Sequence, residues 1–149
     1  AGSSDLINST EGVFYLCIAA LSDDNTDRKI TISDGTFDNS VNIGFSRFTG
    51  NINAELFSGG VLQTSGFGAT GVTQTNYNKF AMSWGGGTTK FYVNGTLASS
   101  HLSVTSPIGL SVLNFSLPNN TQRTYANTRD LRVYNTALTD QELEALTQV

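Results

Sequence analysis

The stretch from Asn78 to Gly95 constrains the fold of this 149-residue chain more than any other. Its first limb sets Phe80, Met82 and Trp84 against Ala81 and Ser83, and its second sets Phe91 and Val93 against Lys90, Tyr92 and Asn94. A period of two sends alternate side chains to opposite sides of an extended chain, so one face of each limb meets a core and the other points outward. Between the limbs, Gly85 to Gly87 can take positive φ without a Cβ clash, and Thr88-Thr89 disfavours helix. The pattern predicts a β-hairpin, with Asn94-Gly95 making a second tight turn where it ends.

The rest of the chain repeats this grammar. Val13 to Leu21 places Phe14, Leu16, Ile18 and Ala20 on one face and Tyr15, Cys17, Ala19 and Leu21 on the other, so both faces are apolar. Such a strand is central and covered on both sides, or its outer face meets another subunit. Shorter strands are read at Lys29 to Ser33, Val41 to Phe48, Ile52 to Ser58, Val61 to Thr64, Ser111 to Leu117 and Arg129 to Tyr134, separated by Gly, Asn, Asp and Pro. Leu97 to Pro107 reads as a loop, and Ser65 to Tyr77 gives no clear element. Thr139 with Glu142 three residues on has the spacing of a capping box, so a helix is predicted from Asp140 to Thr147 with Leu143 and Leu146 turned inward. Short strands at regular spacing with one terminal helix point to an all-β, two-sheet antiparallel jelly-roll sandwich. Residues 1–10, small and polar, read as a flexible arm or linker, and 11–149 as one domain.

Two of these stretches carry a family resemblance. The hairpin ending in Tyr92-Val93-Asn94-Gly95 resembles the central hairpin of laminin-G-like, concanavalin A-like jelly-roll domains. The run from Asp130 through Leu131, Arg132, Val133, Tyr134 and Asn135 to Leu143 resembles the terminal strand and capping helix of the same family. The likeness covers nearly the whole chain from about Glu11. Such sandwiches serve lectins, glycan hydrolases and adhesion modules alike, so the resemblance implies a fold and leaves function to the site. It is strongest to domains of phage tail or virion proteins and of large bacterial surface proteins, which implies host-surface attachment.

Composition narrows the function classes. Only 13% of residues are charged, whereas Ser, Thr, Asn and Gly make up about two-fifths, a surface chemistry suited to an extracellular or virion-surface β-protein. A net charge of −4 with scattered Lys and Arg argues against nucleic-acid binding, which needs clustered cations. The longest apolar run is strand-length, so no membrane insertion is expected. Cys17 stands alone, which excludes an intrachain disulfide and a thiolate metal site and suggests a buried, inert thiol. An opening at Ala1 rather than Met fits a processed product, a piece of a longer polypeptide, or a protein whose initiator methionine was removed.

Four kinds of chemistry are conceivable for such a chain. Retaining glycan hydrolysis needs two carboxyl groups about 5 Å apart, and the related hydrolases carry a Glu-x-Asp-x-x-Glu run that this chain lacks; no enzymatic activity is expected. His101, the single histidine, sits in a Ser-rich segment without a nucleophile motif and reads as a solvated loop residue. Asp23, Asp24, Asn25 and Asp27 crowd oxygen ligands into one turn, as Asp34, Asp38 and Asn39 do in another. The first set is the candidate Ca²⁺ site, although neither has EF-hand spacing. Sugar recognition needs an aromatic face among amides and charges, and the outward register offers Tyr92, Arg132, Tyr134, Asn42, Glu55 and Phe57. The expected function is a non-catalytic module binding a glycan or other host-surface receptor. The alternative is structural, decorating or stabilising a particle as a homo-oligomer or beside other virion proteins, with the outer face of Val13 to Leu21 packed against a neighbouring copy.

Overall fold

The computed structural model describes residues 6–64 and 67–149 of the chain. In chain order the strands are β1 (Gly12–Ala20), β2 (Arg28–Ser33), β3 (Ser40–Phe45), β4 (Ile52–Ser58), β5 (Val61–Leu62), β6 (Gly68–Ala69), β7 (Asn78–Gly85), β8 (Thr88–Val93), β9 (Thr96–Leu102), β10 (Val112–Asn114) and β11 (Ala126–Tyr134), followed by the helix α1 (Asp140–Thr147). One antiparallel sheet runs β11-β1-β7-β8-β9, and the other runs β10-β2-β3-β4-β5, with β6 paired to β4. Packed face to face, they form the two-layer sandwich that the alternation predicts.

The hairpin forms as expected. β7 and β8 pair Phe80 with Val93, Met82 with Phe91 and Trp84 with Thr89, so the large apolar side chains fall on one face. The reversal uses φ values of 142°, 59° and 74° at Gly85, Gly86 and Gly87, backbone that side chains with a Cβ resist. Asn94 and Gly95, at φ 50° and 80°, then turn the chain into β9. This strand replaces the first part of the loop expected from Leu97 to Pro107, leaving only residues 103–107 irregular. As the edge of its sheet it buries neither face fully, so its sequence carries no alternation to read.

Between the sheets lies the main core. Phe14, Leu16, Ile18, Phe80, Met82, Trp84 and Phe91 project from one layer and Ile30, Ile32, Val41, Ile43, Phe45, Ile52 and Leu56 from the other. Trp84 lies over Gly12, its partner on β1, where a Cβ would come within 2.6 Å of the indole. Each fully buried side chain of this size contributes about 1.5–3 kcal/mol.

A second, smaller core lies on the opposite face of β1. Val13, Tyr15 and Cys17, together with Ala81 and Tyr92, are covered by Leu143 of α1, with Tyr134, Leu138 and Leu146 at the margin. The outer face of β1 is therefore covered within the chain itself, by α1 together with Tyr92, Tyr134 and Leu138, so no second subunit is needed to bury it. The capping box fixes where that helix begins: Thr139 N–H donates to Glu142 Oε2 at 2.8 Å, and Glu142 N–H donates to Thr139 Oγ1 at 3.3 Å. At its other end, buried Thr147 accepts from Gly95 N–H at 3.1 Å, tying the helix to the β8–β9 turn.

Of the segment expected to be a flexible arm, residues 1–5 lie outside the described residues. The remainder is packed: Ile7 is buried in the main core, Asn8 donates to Asn135 O at 3.0 Å, and Ser9 Oγ accepts from Leu110 N–H at 2.9 Å. Because Leu143 is the one fully buried side chain that α1 sends into the second core, Leu143→Ala is expected to cost about 2–5 kcal/mol. Urea unfolding followed by Trp84 fluorescence checks this, with an unchanged midpoint speaking against a helix that covers the sheet.

Candidate functional site

The six side chains read as a sugar-binding set do not share a surface. Tyr92, Arg132 and Tyr134 belong to the β1-containing sheet, on the side that α1 covers, whereas Asn42, Glu55 and Phe57 are on the outer face of the other sheet. Tyr92 is only 5% exposed, because the outward parity of β8 points it into the second core. Tyr134 is half-buried at the margin of that core, and Arg132 is exposed beside it.

The β2–β3–β4 face gathers the other three in register. Lys29, Gly44 and Asn53 form one cross-strand row, Thr31, Asn42 and Glu55 the next, and Ser33, Ser40 and Phe57 a third. Parity makes all of these outward, since Ile30, Ile32, Val41, Ile43, Ala54 and Leu56 take the inward positions. At the middle of the sheet the polar side chains are buried and satisfy one another: Thr31 Oγ1 donates to Asn42 Oδ1 at 2.8 Å, and Asn42 Nδ2 donates to Ser40 Oγ at 3.2 Å. Asn42, at 0% exposed, is thus part of the support and offers nothing to a ligand.

Accessible chemistry lies along β4. Asn53, Glu55 and Phe57 are half-buried, and the Phe57 ring is packed edge-on by Phe37 with centroids 4.7 Å apart. Beside Asn53 and Glu55 is a groove of about 310 Å³, lined also by Ser46, Asn51, Phe67 and Thr70. It opens where the β4 edge passes from β6 to β5; between those pairings Ala54 N–H bonds to Phe67 O at 3.0 Å and Leu56 N–H to Thr64 Oγ1 at 2.9 Å. Amides, hydroxyls, one carboxylate and an apolar floor are the equipment for binding a polyol.

Lys29 organises this equipment from below. Only 2% exposed, it reaches across Gly44 to donate to Asn53 Oδ1 and lies 3.6 Å from Glu55. A Cβ on Gly44 would fall onto the Arg28 carbonyl, so glycine lets the strands approach here. With Oδ1 occupied, the Asn53 amide NH₂ is left to donate outward, while Glu55 accepts. Burial lowers the Lys29 pKa below its usual 10.5, and Glu55 opposes that shift.

Comparison with known proteins places this geometry. A family model described as the concanavalin A-like lectin/glucanases superfamily matches residues 19–144. The chain belongs to that superfamily. Among solved structures, the CBM40 of the Ruminococcus gnavus IT-sialidase bound to α2,3-sialyllactose is 18% identical, with a TM-score of 0.69 over 94% of this chain and 84% of that one. The heptameric SAP-like pentraxin of Limulus polyphemus is 15% identical, with a TM-score of 0.69 over 96% of this chain and 72% of that one. The NanB sialidase of Streptococcus pneumoniae, also 15% identical, aligns over 95% of this chain at a TM-score of 0.71, and the chain spans only 25% of its length. No curated protein matches the sequence. At these identities the likeness is one of fold.

Within a superfamily that includes glucanases, carboxylates decide what chemistry is available. Among the described residues only Glu55 brings a carboxylate to the β4 groove, so the pair of acids that glycoside cleavage uses does not converge there. His101, expected in a solvated loop, instead lies half-buried in β9 with its ring 5.2 Å from Phe67. The residues of the proposed calcium turn have separate engagements. Asp24 is paired with Arg28 at 2.6 Å, Asp27 Oδ1 accepts from Arg47 N–H at 2.8 Å, and Asn25 Oδ1 accepts from Thr49 Oγ1 at 3.1 Å; Asp23 is exposed. Among the described residues no three His, Cys, Asp or Glu side chains group as metal ligands.

Sequence reading missed Lys29, Asn53 and Phe37. Alternation puts Lys29 and Asn53 outward, but only the strand register brings them together.

Two measurements follow from these ion pairs. Lys29 has a depressed folded pKa, so its buried charge costs stability in full below that value, and the cost fades as pH rises towards the unfolded value of 10.5. Lys29→Met is therefore expected to be at least as stable as the wild type at pH 7, with its advantage shrinking at alkaline pH. Glu55→Gln leaves the cation without its carboxylate and should lose about 1–2 kcal/mol, below the figure for a fully buried pair because the Glu55 side chain is 30% exposed. Urea titrations across pH check both; a Lys29→Met protein weaker than Glu55→Gln at pH 7 reverses the assignment of cost. Separately, the Arg28 hydrogen bond holds Asp24 at about 2, so its contribution is present above the usual 3.8 and is lost as pH falls through about 2. Asp24→Asn should flatten the acid limb of the stability curve over that interval; an unchanged limb means the pair is not maintained in solution.

Proposed function

We propose that this domain is a non-catalytic glycan-binding module that works outside the cell, with the β4 groove as its binding site. The observation that carries the reading is the arrangement of Asn53 and Glu55 in the groove, one free to donate and one to accept, held by Lys29, with the half-exposed Phe57 next along the same face of β4 at the groove's margin. Vicinal hydroxyls on a sugar both donate and accept, and the C–H face of a pyranose packs on the face of an aromatic ring. Support comes also from fold relatives, one of which was solved with sialyllactose bound. Convergent acids are missing from the described lining of the groove, so the reading is of binding without cleavage. The setting implied by the sequence resemblance, attachment of a phage virion or bacterial surface protein to a host glycan, is part of this proposal. A purely structural or oligomerising role loses the feature that suggested it, because the outer apolar face of β1 is occupied by α1.

A glycan array followed by titration calorimetry tests the proposal. Binding to at least one glycan family is expected, weakened about tenfold or more by Asn53→Ala and by Phe57→Ala in proteins that retain wild-type unfolding midpoints. Silence of the folded protein across the array, or hits whose affinity ignores both substitutions, would overturn it.

A further inference from the structure

A bay beside α1, on the face opposite the β4 groove, has different chemistry. It encloses about 410 Å³ between the helix and β11, with Tyr15 and Cys17 at its floor and Lys79, Arg129, Asp130 and Arg132 around it. In a chain of net charge −4, this is a local excess of cations. The ion pairs make that excess specific. Arg28, Lys29, Lys90 and Arg132 are each matched to a carboxylate, at Asp24, Glu55, Asp140 and Asp130. Among the described residues Arg47, Lys79, Arg123 and Arg129 make no such pair, and two of these four line the bay.

The backbone is adapted to put Arg129 there. Along β11, Leu131 and Val133 pack towards the main core, so simple alternation would also turn Arg129 inward. The pairing with β1 instead slips between Cys17, opposite Asp130, and Ile18, opposite Thr128, leaving Arg129 as an extra residue in a β-bulge. The bulge turns Arg129 to the same side as Asp130 and Arg132, the kind of redirection for which bulges are used beside binding sites. Its guanidinium lies 3.9 Å from the centroid of Tyr77, which fixes its orientation without neutralising it. Lys79 is steadied by a 2.6 Å hydrogen bond to the Gln148 carbonyl and keeps its other protons for a ligand. Arg132 is held by both Asp130 oxygens, at 3.2 and 2.7 Å, so the one carboxylate at the bay is already engaged. The Tyr15 hydroxyl, pushed up to about 12 chiefly by burial, remains a donor.

We propose that this bay is a second binding site, in which Arg129, Lys79 and the Tyr15 hydroxyl take the oxyanion of an acidic saccharide. Two preoriented cations and a neutral donor suit a carboxylate or sulfate, and the volume accommodates the sugar ring that bears it. That the oxyanion is carried by a saccharide rests on the glycan-binding reading; that the bay takes an oxyanion does not.

The test titrates the full chain with a glucuronic acid oligosaccharide, a sulfated oligosaccharide and a neutral oligosaccharide of equal length. The double variant Arg129→Gln/Lys79→Gln and, as a control in the other groove, Asn53→Ala are titrated in parallel. At least one acidic chain should bind the wild type and Asn53→Ala alike, about tenfold or more weaker to the double variant, and weaker again as salt rises from about 50 to about 200 mM. Which acidic chain binds separates carboxylate from sulfate. Equal affinity of wild type and double variant, or no acidic chain bound by the folded wild type, overturns the proposal. Neutral glycans that bind in an Asn53-dependent manner while acidic ones fail would sink this site and leave the β4 groove standing; the converse would sink the groove alone.

Discussion

Burial of β1 on both faces is the constraint from which the arrangement of the molecule follows. Phe14, Leu16, Ile18 and Ala20 enter the core between the sheets, while Val13, Tyr15 and Cys17 need cover on the other side. Leaving those three in water would forfeit apolar burial worth several kcal/mol at about 25 cal/mol per Å². The helix, lying over β7 and β8, supplies part of the cover, and its short length is enough because Leu143 packs into the cluster of Val13, Tyr15 and Cys17 and Thr147 anchors the far end. A helix of eight residues would be marginal alone. Its stability is tertiary, with the capping box deciding only where it starts.

Once α1 occupies one sheet, the surface available for recognition divides in two. The outer face of the β2–β3–β4 sheet has no helix, and its central positions carry Ser, Thr, Asn and Lys where the inner face carries Ile, Val and Phe. Those polar side chains are buried yet bonded to one another, which turns the middle of the sheet into a rigid base and leaves reactive hydrogen-bonding capacity at the β4 margin. Lys29 is the costly member of that base. A buried ammonium is not a stabilising choice, and what it does in the fold is orient Asn53 and Glu55 at the β4 margin. On the other sheet, what remains beyond the edge of α1 is the bay at β11, where the bulge at Arg129 gives positive charge a fixed position.

Much of the fold was legible because its rules are local. The Asn78–Gly95 hairpin announces itself by parity and glycines, and the Thr139–Glu142 spacing marks the helix start. The apolar parity of Val13 to Leu21 correctly demanded two covers but could not name the second one, since the helix that provides it lies more than a hundred residues away in sequence. Tyr92 was misread for that reason: alternation says which side of a strand a residue occupies, not whether that side is wet. β9 was missed because an edge strand of Thr, Leu, Ala, Ser and His buries too little to impose a pattern. The β4 groove was half legible, with Glu55 and Phe57 anticipated by parity, while Lys29 and Asn53 become partners only through strand register. Asn42 had the right face and the wrong depth. The Arg129 bulge leaves no sequence signal that parity reading could use, because it is a departure from parity.

The lone thiol reports directly on the doubly covered strand. Cys17 lies on the face that α1 covers, with 3% of its surface exposed, beside Tyr15 in the wall of the β11 bay. Its reaction with a polymer-linked maleimide too large to enter that bay, followed by mass under native conditions and through a urea series, measures how often the cover lifts. If β1 is covered as described, labelling proceeds no faster than unfolding of the whole domain allows. Prompt, stoichiometric labelling of the native protein, with the β-sheet signal intact, would contradict it.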